Sequence, residues 1–225
     1  DPDRLALYHY AHLPHIFKPQ RRIDTNAVPG SEEKLDMLQY CVQTLTERGY
    51  VFIGMDHFAK PDDELSIALK EGFLQRNFQG YSTYADCDLV AIGVSSIGKI
   101  GSTYSQNERD IDAYYAALDA GHLPIMRGYQ LNQDDILRRN IIQDLMCRFS
   151  LDYQIYESVF GIPFSRYFAA ELEDMKQLET LGLVRLKPHS LTVTPKGRFL
   201  IRNIAMVFDY HLRHKETKAK YSQTV

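Results

Sequence analysis

The sequence predicts an α/β protein whose second part is mostly helical, and three observations carry that expectation. The first 55 residues read strand, loop, helix, strand, an order that builds layered α/β folds with parallel strands. Polar, glycine-containing segments follow the strands, where such folds collect their ligands. From residue 132 onward apolar positions recur at helical spacing, interrupted by one hairpin.

Residues 5–10 are the first expected strand, and HLPHIFKPQRRID after them carries the prolines and charges of a loop. Pro29, Gly30 and Ser31 open a helix with Glu32 and Glu33 in its first turn. Leu35, Leu38, Val42 and Leu45 keep one apolar face until Gly49 stops it. Residues 50–55 form the next strand and leave residues 56–61 at its carboxyl end. A short helix over 62–71, a loop over 72–87 and a strand over 88–93 follow, the last running into GVSSIGKIG. Asn107, with Asp110 three residues on, is placed to cap a helix ending near Ala120.

The character then changes, and the chain divides into residues 1–130 and 131–225. Ile136, Ile141, Leu145 and Phe149 mark one helix, residues 152–160 a second, and Tyr167, Leu172, Met175, Leu178 and Leu181 a third that ends at Gly182. LVRL and LTVT flank KPHS as a hairpin, and Thr194 with Pro195 begins a last helix of roughly 20 residues. Helices followed by a small hairpin resemble a winged-helix arrangement.

Composition narrows the function classes. With 44% apolar and 24% charged residues in a chain of 225, one large domain or two small ones is the expectation, and disorder is not. A net charge of -3 argues against coating nucleic acid or anionic lipid through bulk charge. No apolar run approaches the roughly 18 residues of a membrane span, and no export signal opens the chain, so a cytoplasmic protein without membrane contacts is expected. Cys41, Cys87 and Cys147 lie too far apart for a disulfide framework or a short-spaced metal motif. The start at Asp1, running at once into LALYHYA, reads as a piece of something longer.

Several residue types could carry chemistry. His9, His12, Asp56 and His57 each follow a strand, where histidine can move protons near neutral pH, although capping a strand end is the more ordinary role. In GVSSIGKIG, Gly93, Gly98 and Gly101 would let backbone amides approach a ligand, yet the segment fits neither dinucleotide nor phosphate-loop patterns, and tight turns explain it equally. Arg21, Arg22, Arg76 and Lys99 fall in loops at one expected end of the sheet, which suits a polycarboxylate, with solvated charge as the plainer alternative. In the tail, Arg198, Arg202, Arg213, Lys215, Lys218 and Lys220 could meet phosphates. Glu171, Glu173, Asp174 and Glu179 on the preceding helix would repel them, which favours a packing module over a nucleic-acid binder.

YHYAHLPHIF, GYVFIGMDHFAKPDDEL, RNFQGYST, GVSSIG and TPKGRFLIRNIAMVFD, taken in order, resemble the carboxyl-terminal half of the bacterial oxygen-independent coproporphyrinogen III oxidase family. The segment GMDHFA favours that family over the neighbouring radical SAM haem chaperones. The resemblance implies a partial radical SAM (β/α) barrel over residues 1–130 with its extension, then a helical domain with a small hairpin over 131–225. It further implies two S-adenosylmethionine molecules, a 4Fe-4S cluster held by CxxxCxxC, and oxidative decarboxylation of two propionates of coproporphyrinogen III to vinyls in haem biosynthesis. CxxxCxxC is absent from this sequence, so the chain alone is expected to be inactive.

By the same resemblance Ala11 and Ile97 line S-adenosylmethionine, and Phe78 and Gln79 border the same cavity. Arg21 and Arg76 are assigned to substrate carboxylates, with Asp56 and His57 as polar cavity groups. A monomer is implied for the full-length protein. The isolated chain is expected to self-associate through an exposed sheet edge unless residues 131–225 cover it.

Overall fold

The computed structural model describes residues 1–84 and 87–214. Strands β1 (Arg4–Ala6), β2 (Val51–Gly54) and β3 (His57–Ala59) form one sheet in the order β1-β3-β2. Both outer strands run antiparallel to β3, so β1 and β2 point the same way without touching. The expected parallel ladder is therefore absent, and every strand pair among the described residues is antiparallel. The cause is local. Gly54 and Met55 adopt positive φ (157° and 53°), so the chain turns back at once and residues 57–59 take the central position as a strand instead of forming a loop. The first strand is also short, and beyond Ala6 the Leu7 N–H donates to the Asp56 carbonyl at 2.8 Å.

Helix α1 (Ser31–Glu47) forms as its periodicity predicts, with Leu38 buried and Leu35, Val42 and Leu45 half-buried. Gly49 follows at φ 86°, the left-handed conformation that ends a helix without a side-chain penalty. Helix α2 (Glu64–Glu71) is capped by Asp63, which accepts from the Leu65 N–H, and ends at Gly72.

Residues 72–87 are not the loop the sequence suggests. Strands β4 (Gln75–Asn77) and β5 (Gly80–Ser82) make a hairpin whose turn is held by the Gln79 N–H donating to Asn77 Oδ1 at 2.8 Å. The strand expected at 88–93 does not form. Leu89 makes a single bridge to Lys99, and positive φ at Gly93 and Ser95 breaks the extended run. The sheet lies further along, as a meander of β6 (Ile97–Ile100), β7 (Thr103–Asn107) and β8 (Ile125–Gln130). Helix α3 (Ile111–Asp119) sits between the last two strands. Its cap is Asp110, not Asn107, whose amide instead donates to the Ala91 and Gly93 carbonyls. Strand β8 is exposed along its whole length at the sheet edge.

Helix α4 (Gln133–Arg148) starts with a reciprocal capping box between Asn132 and Asp135, which satisfies two orphan N–H groups at once. It ends at Phe149 in the left-handed region, one residue before β9 (Ser150–Asp152). Helices α5 (Tyr153–Phe160), α6 (Phe164–Tyr167) and α7 (Ala169–Thr180) follow. The predicted hairpin is β10 (Val184–Lys187) with β11 (Ser190–Val193), and β9 joins it in the order β10-β11-β9. The single long terminal helix breaks into α8 (Pro195–Phe199), α9 (Ile201–Met206) and α10 (Tyr210–Arg213). Leu200 leaves helical geometry between the first two, and Asp209 caps a fresh turn before the third.

One hydrophobic cluster crosses residue 130. Ile53, Ala59, Leu65 and Leu74 from the first part pack with Leu137, Ile141 and Leu145 of α4 and with Phe164, Phe168 and Phe208.

Two outcomes follow from the packing. A Cβ on Gly197 would collide with the Leu183 carbonyl, so Gly197→Ala should cost about 1–3 kcal/mol in urea unfolding. Burial alone would raise the Asp135 carboxyl, but donors on Asn132 (3.1 Å), His211 (2.9 Å) and Tyr129 (3.0 Å) hold it below the usual carboxylate range. A depressed folded-state value stabilises above the unfolded value and loses that contribution as pH falls through the folded one. Asp135→Asn should therefore flatten the fall of the urea midpoint as pH drops through and below the ordinary carboxylate range.

Candidate functional site

Two clefts open beside the sheets. The first, of about 260 Å³, lies where the segment after β1 meets the β2–β3 turn and the start of α9. Tyr8, Tyr10, Ala11 and Met55 supply its apolar wall, and Lys34, Asp56 and Arg202 its charges. The second, of about 630 Å³, lies between the β4–β5 hairpin, β6, β7 and α4. Arg76, Phe78, Lys99, Tyr104, Arg139 and Gln143 line it.

The β2–β3 turn fixes the polar pair beside the first cleft. Asp56 Oδ1 accepts from His57 Nδ1 at 2.6 Å, and the imidazole stands edge-on to Tyr81 with ring centroids 5.3 Å apart. Tyr81 is buried and donates its hydroxyl to the Met146 carbonyl at 3.0 Å, which joins the hairpin to α4. Burial pushes the Tyr81 phenol well above its ordinary pKa, so it stays a donor. Behind this pair Arg198 donates to the Phe52 and Ile53 carbonyls at 2.8 and 3.3 Å.

The sequence-predicted residues divide between the clefts. Ala11 and Asp56 face the first; Arg76 and Phe78 face the second. Ile97 is half-buried on β6 opposite Gln106, and Gln79 is exposed in the β4–β5 turn. Neither lines either cleft, so the four residues assigned to one cavity do not share one here. Arg21 sits exposed in a 3-10 turn over Lys18–Arg22 and donates its Nε to the Pro14 carbonyl at 2.9 Å, away from Arg76. Lys99 joins Arg76 in the second cleft, while Arg21 and Arg22 line neither. His12 donates or accepts through Nδ1 with the Tyr10 hydroxyl at 3.3 Å, and its Nε2 is buried without a partner among the described residues. In GVSSIGKIG the glycines serve packing and turns: a Cβ at Gly98 would press on Ser105 Oγ and the Leu89 carbonyl at 2.9 and 3.1 Å, while Gly93 and Gly101 take positive φ of 97° and 55°.

Sequence reasoning missed Arg139 and Gln143. Both sit on a helix whose polar residues look alike in sequence, and only the docking of the β4–β5 hairpin distinguishes them. The described tail cations are placed one by one. Arg198 is part-buried, Arg213 pairs with Asp174 at 2.5 Å, and Arg202 lines the first cleft. Lys215, Lys218 and Lys220 lie outside the described residues.

Among the described residues no group of three or more His, Cys, Asp or Glu side chains converges. Cys147 is buried, and burial pushes its thiol up to about 12, the wrong direction for a metal-binding thiolate. No described helix is long and apolar enough to cross a membrane.

With this geometry in place, comparison with known proteins is specific. Residues 131–200 match the HemN C-terminal domain. The chain is 46% identical over all 225 residues to the oxygen-independent coproporphyrinogen III oxidase of Salmonella typhimurium, covering 49% of that protein. The Pseudomonas aeruginosa oxidase is 50% identical over 211 residues, 94% of this chain and 46% of its own length. A solved structure, the coproporphyrinogen III oxidase (HemN) from Escherichia coli, described as a radical SAM enzyme, superposes with a TM-score of 0.90 at 48% identity. It covers 94% of this chain and 49% of its own. Residues 131–200 are thus similar to a HemN C-terminal domain. More closely, the chain is a relative along its whole length of the oxygen-independent coproporphyrinogen III oxidases, and it spans about half the length of the curated relatives it matches.

Tyr81→Phe should lower unfolding stability by about 1–3 kcal/mol, because the buried Met146 carbonyl loses its donor; equilibrium urea titration reads the change.

Proposed function

We propose that this chain forms part of an oxygen-independent coproporphyrinogen III oxidase of the cytoplasm. It would wall the chamber in which coproporphyrinogen III loses two propionate carboxyls to give protoporphyrinogen IX. The observation that carries the reading is identity at 46% maintained over all 225 residues with such an oxidase. In this reading residues 1–130 continue a partial barrel, and residues 131–225 are a winged-helix-like domain that packs against it and takes no nucleic acid. The whole protein is a monomer that holds two S-adenosylmethionine molecules.

When bound, S-adenosylmethionine would supply the radical that removes a hydrogen atom from a substrate propionate, the vinyl forming as carbon dioxide leaves and one electron passes to an external electron acceptor. This chain contributes shape and polarity to that chamber. The first cleft offers Tyr8, Tyr10 and Ala11 as a surface for a flat ring, with Asp56 as an acceptor for ribose or amino groups. His57, tied to Asp56, orients that carboxylate. Ile97, Phe78 and Gln79 serve as neighbouring wall. The cluster ligands come from a CxxxCxxC segment outside these 225 residues, because the cysteines present cannot converge.

The test compares the chain with a whole protein that includes such a segment. Under anaerobic conditions with S-adenosylmethionine, the whole protein should release carbon dioxide from coproporphyrinogen III and the 225-residue chain should release none. Iron and sulfide reconstitution of the chain should leave no cluster absorbance. A cluster assembled on the chain's own cysteines, or a whole protein that moves haem without decarboxylating anything, would sink the reading.

A further inference from the structure

Two buried guanidinium nitrogens in the second cleft have no acceptor. Nη1 of Arg76 on β4 and Nη1 of Arg139 on α4 are both shut off from solvent without a hydrogen-bond partner among the described residues. An unsatisfied buried donor costs about 1–3 kcal/mol, and more when charged, so such groups call for an explanation. A ligand that brings the missing acceptor is the simplest one.

The rest of the cleft says what kind of ligand. Lys99 adds a third cation, and among the described lining side chains only Asp88 opposes them. One Asp88 oxygen is already engaged, accepting from the Gly101 N–H at 2.7 Å. Arg76 lies 4.8 Å over the Tyr81 ring, which holds its planar fork against the cleft wall. Phe78 and Tyr104 meet edge to face at 5.4 Å, and Phe78 is 55% exposed, so an apolar ring surface adjoins the cationic part of the same cleft. At about 630 Å³ the space falls within the roughly 300–1,000 Å³ of ordinary ligand clefts.

We infer that the second cleft is a carboxylate site for an organic acid carried on a flat apolar ring. Arg76 and Arg139 receive the carboxylate, and Phe78 and Tyr104 pack on the ring. The identity of the ligand as a propionate arm of a tetrapyrrole rests on the oxidase reading; the preference for a carboxylate on a ring does not. Arg139 is then a binding residue contributed by the helical part, facing Arg76 from the hairpin. Inorganic phosphate would satisfy the same cations and leave the aromatic surface uncovered.

The test is equilibrium binding to the 225-residue chain of coproporphyrin III, the air-stable tetrapyrrole with four propionates, followed by fluorescence. Arg76→Gln and Arg139→Gln should each weaken binding by about tenfold or more, with Arg139→Lys intermediate. The tetramethyl ester should bind the unaltered chain at least about tenfold more weakly than the free acid. Lys176→Gln, on an exposed ion pair of α7, should bind as the unaltered chain does, and thermal melts verify that each variant folds. An ester that binds as tightly as the acid overturns the proposal even if the arginine variants fail to fold. Unchanged affinity in both folded variants, or no binding of any probe, also overturns it and leaves the oxidase reading to its own decarboxylation assay. Phosphate that displaces the porphyrin at equal concentration would replace the organic acid with a phosphate.

Discussion

Arg198 fastens the first sheet to the helical part, and the remaining geometry depends on that junction. Strand β2 is an outer strand, so its carbonyls would be buried without donors once residues 131–214 pack on it. The Arg198 guanidinium takes up two of them, 145 and 146 positions away in sequence, and lies 4.2 Å over the Phe149 ring and 5.4 Å over Phe52. Burial lowers its pKa, yet arginine keeps its charge at any ordinary pH, so the carbonyls always face a cation. The covered edge also meets the requirement that a sheet edge be paired or shielded. Strand β8, at the edge of the meander, is by contrast exposed along its whole length.

Helix α4 distributes what the junction holds together. Its period of 3.6 residues sends Leu137, Ile141 and Leu145 into the common core, while Arg139 and Gln143, one turn apart, reach the second cleft. Arg138, the residue just before Arg139, turns inward and meets Glu171 at 2.8 Å, the Phe208 carbonyl at 3.1 Å and Asp134 at 2.8 Å. Adjacent arginines thus have opposite fates, one neutralised inside and one left without an acceptor at a cleft. A buried pair of this kind adds little net stability, but removing one partner is costly, so it pins how α4 lies against α7 and α9. That placement in turn decides which side of α4 faces the β4–β5 hairpin.

The clefts are products of turns more than of strands. Met55 and Gly54 reverse the chain between β2 and β3 and bring Asp56 to the rim of the first cleft; Gly80 does the same for Phe78 at the second, with His57 Nε2 only 3.0 Å from where its Cβ would be. Gly80 therefore has two reasons to be glycine, its φ of 130° and the imidazole beside it. The hairpin, the imidazole and Tyr81 form one packed unit, so the polar pair at residues 56 and 57 and the aromatic wall at residue 78 cannot shift independently.

Local signals settled much of the fold in advance. The apolar periodicity of α1, the short helix expected over 62–71 and the Thr194-Pro195 start of α8 are local signals; α1 and the start of α8 form where the sequence places them, and α2 forms over the last eight residues of its expected span. The blocks that resemble coproporphyrinogen oxidases were legible for the same reason, being contiguous. Strand partners, by contrast, depend on residues far apart. β3, β4, β5 and β8 are short or exposed, their alternation is weak, and the antiparallel order follows from a tight turn at residues 54–55 that no periodicity announces. The sequence alone therefore determined most of the helices, though not the breaks in the terminal one, together with the kinship and the polar segments that border the clefts. Only the tertiary structure decided that Ala11 and Phe78 lie in different clefts and that Arg76 and Arg139 line the same one, because residues 63 positions apart border one cleft only when the chain packs around a shared core.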